Sequence, residues 1–220
     1  MSQMNVAQAR FNMIQQQIRP WEVLDERVLD LMQGLPRENF VPATYQNLAF
    51  ADISIALAHD QSMMAPKVEG RLLQLLQVKP TDTVLEIGTG SGFMTALLAK
   101  CAKQVYTVDI YEDFVKSAQS KLAALNLNNV QFGTGDAIEG WKALPRYDVI
   151  AITGSVPVLK NHFQEQLNIG GRLFVVVGED PVMEALLITR TSEQQWTTES
   201  LFETSLPALI GAPTPNRFAL

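Results

Sequence analysis

The chain has 220 residues, 47% hydrophobic and 18% charged, a balance that supports one substantial core and excludes a disordered polymer. Its formal charge of −6, with Lys and Arg scattered, argues against a nucleic-acid partner, whose phosphates demand a basic stripe. The one cysteine, Cys101, leaves no internal disulfide, no run of about 18 apolar residues exists to span a membrane, and the polar start lacks a signal-like apolar stretch, so a cytoplasmic protein is expected.

Met4, Ala7, Phe11, Ile14 and Ile18 step by three and four, the spacing of one helix face, and predict a helix that stops at Pro20. A second helix is predicted over 25–33, ended by Gly34 and Pro36. Residues 38–65 hold no sustained helical period and read as loops with short strands; so long an irregular stretch points to function. A helix over 66–77 follows, with Val68, Leu72, Leu75 and Leu76 inward. From Lys79 the pattern alternates: strands at 83–87, 104–109, 130–133, 148–153 and 172–177, with helices at 93–100, 112–125 and 158–167. Such alternation builds right-handed βαβ units around a parallel sheet. Strands at 185–191 and 196–206 have no helix between them and predict a closing antiparallel hairpin. The expected fold class is α/β: a doubly wound, Rossmann-like, mostly parallel sheet with an antiparallel C-terminal strand and an N-terminal helical cap. No linker or repeat interrupts it, so one domain over 1–220 is expected, with cap and loop in 1–78 and core in 79–220.

The most informative run is Val84-Leu85-Glu86-Ile87-Gly88-Thr89-Gly90-Ser91-Gly92, a buried strand entering alternate glycines just before a helix. Glycine permits the tight turn and lets a ligand approach the main chain, at the strand end where open α/β sheets bind ligands. A nicotinamide-dinucleotide fingerprint needs a third small residue where this chain has Phe93. With Glu86 two positions ahead of the first glycine, the run resembles the first motif of Rossmann-like S-adenosylmethionine-dependent methyltransferases. The resemblance implies that cofactor, with Glu86, Gly88, Thr89, Gly90, Ser91 and Gly92 around its zwitterionic, sulfonium-bearing end. Asp109 ends the second strand, placed to accept from the ribose hydroxyls, with Ile110 beside it; taken alone, Asp109 would be a helix N-cap. In Gly133-Thr134-Gly135-Asp136-Ala137 the resemblance assigns Asp136 and the Ala137 backbone to adenine, and it puts Thr153, at the end of the fourth strand, under the cofactor.

The flanks narrow the family. Val28-Leu29, then Pro36-Arg37-Glu38-Asn39-Phe40-Val41-Pro42, the Ala96-Leu97-Leu98-Ala99 helix, Gly170-Gly171-Arg172-Leu173 and Leu206-Pro207-Ala208-Leu209-Ile210-Gly211 together resemble the protein-L-isoaspartate O-methyltransferases. That implies an isoaspartyl carboxylate in a protein or peptide as acceptor, held by Ser62 and Gln61. The chain departs from the family at Asp60-Gln61-Ser62-Met63-Met64-Ala65-Pro66: Met64 stands where the family has serine, Asp60 where it has glycine, and Lys67 where an aromatic residue or histidine is usual. The implied chemistry needs no strong base, because a carboxylate of pKa about 4 is already ionised near neutral pH. Methyl transfer cancels an anion against a cation, which a dry site favours, and orientation can supply roughly 7–11 kcal/mol of barrier reduction.

Other tempting residues have plainer readings. Cys101 reads as packing, His59 as a loop residue beside the acceptor segment, His162 as outward-facing, and Met63 and Met64 as gap-fillers or pocket lining. No cluster has metal-ligand spacing, so no metal is expected. The leading function is isoaspartyl methylation. The alternatives are a small-molecule methyltransferase on the same scaffold and a cofactor-binding protein without turnover. Base methylation is disfavoured, since Ile152-Thr153-Gly154-Ser155 lacks a polar-Pro-Pro-aromatic loop.

Overall fold

The computed structural model describes residues 5–214, so Met4 of the first predicted helix face lies outside the described residues. Helix α1 (Val6–Met13) is N-capped by the Asn5 side chain, which accepts from Gln8 N at 3.1 Å. It widens into a π-turn over Ile14–Ile18 and tightens into a 3-10 turn over Arg19–Trp21, which contains Pro20. The wide turn shifts the phase of the apolar face. Met13, Ile14 and Ile18 are buried, whereas Ala7 and Phe11, expected on that face, are exposed.

Helix α2 (Glu26–Gly34) is capped by Asp25 and buries Val28, Leu29 and Met32. The chain then runs through two 3-10 turns, Arg37–Asn39 and Ala43–Leu48, into an antiparallel hairpin of β1 (Ile55–Ala56) and β2 (Ser62–Met63). Helix α3 (Pro66–Leu76) opens on Pro66, where the missing N–H costs nothing. It buries Val68, Leu72, Leu73 and Leu76, and Leu75 is half-buried, so the inward face is rotated slightly from the expected one.

The core alternates β3 (Thr83–Ile87), α4 (Phe93–Cys101), β4 (Gln104–Asp109), α5 (Glu112–Ala124) and β5 (Val130–Thr134), then β6 (Tyr147–Val156), α6 (His162–Glu165), β7 (Leu167–Glu179), β8 (Val182–Ser192) and β9 (Gln195–Glu203). Seven strands form one sheet in the order β5-β4-β3-β6-β7-β8-β9. Strands β3 to β7 pair in parallel, β8 runs antiparallel to β7, and β9 antiparallel to β8. The doubly wound α/β fold is therefore the observed one. Strand alternation sorts the core onto two faces: Val84, Val105 and Val149 pack toward the cap, and Leu85, Val108 and Ile150 toward the opposite face. The helix expected over 158–167 shrinks to α6. The Gln166 carbonyl pairs with Tyr147 N of β6, while Arg190 and Trp196 take the carbonyls of Glu165, Leu167 and Gln164. His162 does not face out; it packs on Phe163 at 4.1 Å, with Nδ1 3.6 Å from Glu139.

Arg172 fastens cap to sheet. Its guanidinium donates to the carbonyls of Leu76 and Gln77 at the end of α3, at 2.9 and 2.8 Å, and to Asp82 at 2.9 Å. A cation at a helix C-terminus meets the negative end of the dipole. Cys101 is buried as packing, as expected.

Candidate active site

Strand order reverses between β3 and β6, because the chain winds outward through β4 and β5 and then returns to the other side of β3. The connections diverge at that point and leave a crevice beyond the carboxyl ends of the strands. A cleft of about 700 Å³ lies there. It brings together Gln61, Ser62, Gly88, Gly90, Asp109, Ile110, Asp136, Ala137 and Thr153 of the residues singled out from sequence. It also has walls that sequence reasoning missed: Leu57, Tyr111 and Phe114 on one side and Pro207, Ala208, Leu209 and Ile210 on the other. The second wall forms because the chain after β9 returns along β6, with Ser155 N donating to Pro207 O at 2.9 Å and Leu209 N to Ser155 O at 2.8 Å. The apolar run around Pro207, beyond the last strand, was the available signal.

The glycine loop is held from both sides. Asp109 Oδ2 accepts from Gly90 N at 2.8 Å and Oδ1 from Tyr111 N at 3.0 Å, so this carboxyl supports the loop and the approach to α5 together. Burial raises its pKa above the ordinary value, and the hydrogen bonds from Gly90 and Tyr111 oppose that shift. Thr153 Oγ1 donates to the Gly88 and Ile87 carbonyls at 2.6 and 3.0 Å. Gly88 has φ +99°, and a Cβ there would overlap Thr153 Oγ1. Gly92 has φ +84° and lies against Ala118 of α5, so it shapes the loop without lining a cavity.

Glu86 is beneath the loop rather than on the cleft wall. Its neighbours Leu85 and Ile87 point to the opposite face of the sheet, so alternation turns Glu86 toward α4. Fully buried, its Oε2 accepts from Thr95 Oγ1 at 2.5 Å and Thr107 Oγ1 at 2.7 Å, and the Thr89 and Thr107 hydroxyls lie 2.6 Å apart. Oε1 has no partner among the described residues. Burial pushes the carboxyl up to about 8, against the two threonine hydrogen bonds.

A second cavity of about 280 Å³ adjoins the cleft, sharing Ser62, Gly88, Gly90 and Thr153 with it. Thr89 and Ser91 line this one, with Met63, Met64, Met94 and Glu69. Ser62 therefore stands between the two spaces, while Gln61 is braced by its own Nε2 bond to the His59 carbonyl at 3.0 Å. Neither Glu69 nor its partner Arg37 was foreseen as a site residue. Arg37 is fully buried: it binds Glu69, donates from Nε to Ala49 O at 2.9 Å and from Nη2 to Met64 O at 2.8 Å, and lies over Phe93. Burial drives Glu69 up to about 7 despite the guanidinium and lowers the pKa of Arg37. Lys67, the other departure in this segment, points away to Asp52 at 2.8 Å and lies over Trp21.

Comparison with known proteins fits this geometry. The family model of protein-L-isoaspartate(D-aspartate) O-methyltransferase matches residues 8–207. Protein-L-isoaspartate O-methyltransferase 1 of Rhodopseudomonas palustris (strain HaA2) is 36% identical over 93% of this chain and 84% of its own length. The protein of the same name from Geotalea uraniireducens (strain Rf4) is 33% identical over 94% and 95%. Among solved structures, a Plasmodium falciparum protein described as a putative protein-L-isoaspartate O-methyltransferase in complex with S-adenosyl-L-homocysteine superposes with TM-score 0.78. It covers 94% of this chain and 99% of its own at 18% identity, a likeness of fold. No helix among the described residues is long and apolar enough to cross a membrane.

Proposed function

This chain belongs to the protein-L-isoaspartate(D-aspartate) O-methyltransferase family, and from that premise we propose that it methylates the carboxylate of isoaspartyl residues in damaged proteins or peptides, using S-adenosylmethionine. The observation that carries the reading is the cleft at the switch point, with Ser62 on the boundary between it and the second cavity.

The residues present fit the cofactor. Asp109 has lone pairs left beyond its two backbone bonds, enough for ribose hydroxyls. Asp136 uses Oδ1 for Ile138 N, at 2.9 Å, and keeps Oδ2 for an adenine amino group beside the Ala137 backbone. Glu86, with its carboxyl pushed up to about 8 by burial, supports the glycine loop from behind through the Thr95 and Thr107 hydroxyls and keeps Oε1 without a partner among the described residues. Bound there, the cofactor supplies an electrophilic methyl group on a cationic sulfur.

The chain's own residues then orient the acceptor and exclude water. Ser62 offers a hydroxyl donor to the incoming carboxylate, Gln61 braces the strand that carries it, and Met63, Met64 and Met94 give the second cavity its apolar share of wall beside Ser62, Thr89 and Ser91. No proton has to be removed, because the acceptor arrives ionised. We place this activity in protein repair in the cytoplasm, with residues 1–78 supplying the acceptor side and 79–220 the cofactor side of one domain. The test is methyl transfer onto an isoaspartyl peptide and its normal aspartyl twin. Base-labile methyl groups on the first alone are expected. Cofactor binding without esterification of the isoaspartyl peptide would overturn the reading and favour a small-molecule acceptor.

A further inference from the structure

Glu69 is a carboxyl in the wall of the second cavity, the space that adjoins the cofactor cleft at Ser62. One oxygen, Oε2, takes the Arg37 guanidinium. Arg37 is the charged group that faces it. Strand β2 with the residue after it, the glycine loop and α4 present Ser62, Met64, Thr89 and Met94, none of which titrates. The other charged residues of α3 turn elsewhere, Lys67 to Asp52 and Arg71 to Glu22. Glu86 lies behind the loop with its threonines.

We propose that Glu69 determines acceptor specificity: it meets the acceptor carboxylate inside the second cavity and must carry a proton, donated in a hydrogen bond to that carboxylate, for the acceptor to bind. This rests on the isoaspartyl reading above. Two carboxyl groups within hydrogen-bond reach of each other in one small space repel when both are ionised, so the bound state favours one proton held between them. The acceptor has to remain the anion to attack a methyl group, which assigns the proton to Glu69. The proton stays on Glu69 through transfer, and the ester leaves neutral. With Glu69 neutral, Arg37 becomes a net positive charge behind the cavity wall and favours an anion in front of it. Arg37 keeps its bonds to Ala49 O and Met64 O in either state. Burial already holds Glu69 up to about 7, so the required form is populated near neutral pH.

The contrasting role is purely structural, an ion pair that pins the backbone at Met64. The two are separated by KM for an isoaspartyl peptide from pH 6 to 9 at cofactor concentrations that saturate at every pH, so that pH-dependent cofactor binding does not enter the comparison. For the parent, KM should climb toward tenfold per pH unit once Glu69 ionises, while kcat changes little. The neutral carboxamide twin of the peptide should inhibit with a pH-independent Ki. Calorimetric titration of the acid peptide into protein saturated with the demethylated cofactor should show the same slope without turnover. Glu69→Gln, a permanent donor, should hold KM low and flat. A pH-invariant KM in the parent, a carboxamide Ki that climbs in parallel, or a variant that keeps the parent's slope would overturn the proposal. If Glu69→Gln does not fold, the two-peptide comparison on the parent decides alone. Absence of ester at every pH defeats the isoaspartyl reading and this inference with it. Ester formation with parallel slopes for the two peptides defeats the inference only.

Discussion

Asp109 gives one carboxyl oxygen to each of two backbone N–H groups and still lines the cleft. Its position at the end of β4 was readable from sequence, and that position is why a ribose contact is proposed; its bond to Gly90 N, 19 residues earlier, was not readable. Asp109→Ala should weaken cofactor binding by about 1.5–3 kcal/mol, the scale of hydrogen bonds to a charged group. It should also loosen the glycine loop, since Gly90 N and Tyr111 N lose their acceptor. Calorimetry and amide exchange at Gly90 would measure both effects; unchanged cofactor affinity would remove Asp109 from the site. Glu86 shows the opposite relation. Its place in the motif marks it as important, yet it acts from underneath, through Thr95 and Thr107.

Among the elements, the short hairpin β1–β2 reaches the cleft from the cap through Leu57, Gln61 and Ser62. His59 and Asp60 both have φ +56° at its tip, and Gln61 N donates to Ala58 O at 3.1 Å, the arrangement of a primed two-residue turn. Two non-glycine residues hold this backbone because the tip is fastened to the start of α5. The His59 ring stacks on Tyr111 at 3.9 Å and meets Asp113 with Nε2 at 3.0 Å. His59→Ala should therefore speed cofactor release by about threefold to tenfold, the scale of one aromatic pair. Thermal stability should hardly move, because the tip is exposed. Stopped-flow release kinetics would read this, and an unchanged off-rate would mean that the hairpin does not close the cleft.

At the scale of the whole molecule, the buried carboxyls set how stability follows pH. Glu69 and Glu86 have folded-state values raised from 4.5 to about 7 and about 8. The folded state then binds more protons than the unfolded one between those limits. Their contribution is complete below about pH 4.5 and is lost as pH rises through 7 and then 8. Asp148, despite burial, is held below its ordinary range by Thr83 N, Asn168 and the Thr83 hydroxyl, and its contribution is lost as pH falls. Thermal unfolding followed by circular dichroism should give a maximal Tm in mildly acidic solution and a decline toward pH 9. Glu86→Gln should flatten that alkaline decline. A Tm that increases from pH 6 to 9 would contradict the assignment.

The division between sequence and tertiary structure follows the range of the forces involved. Local alternation and glycine spacing determined the sheet strands: β3 and β4 fall at the residues expected, and the glycine loop leads into α4 as read. These features depend on neighbours a few residues apart, so a linear reading reaches them. The phase shift in the first helix and the loss of the predicted helix over 158–167 depend on partners elsewhere in the chain, such as Arg190 and Tyr147, and no local period reports those. The site divides in the same way. Gly88, Gly90, Asp109 and Asp136 were legible as cleft residues because each lies at or just beyond the carboxyl end of a strand, and Thr153 because it follows the last β6 residue paired with β3. Only folding could bring Glu69 to Arg37, 32 residues earlier, or carry Pro207 back along β6. A buried charge takes the partner that the packed core leaves within reach, and that choice is made in three dimensions.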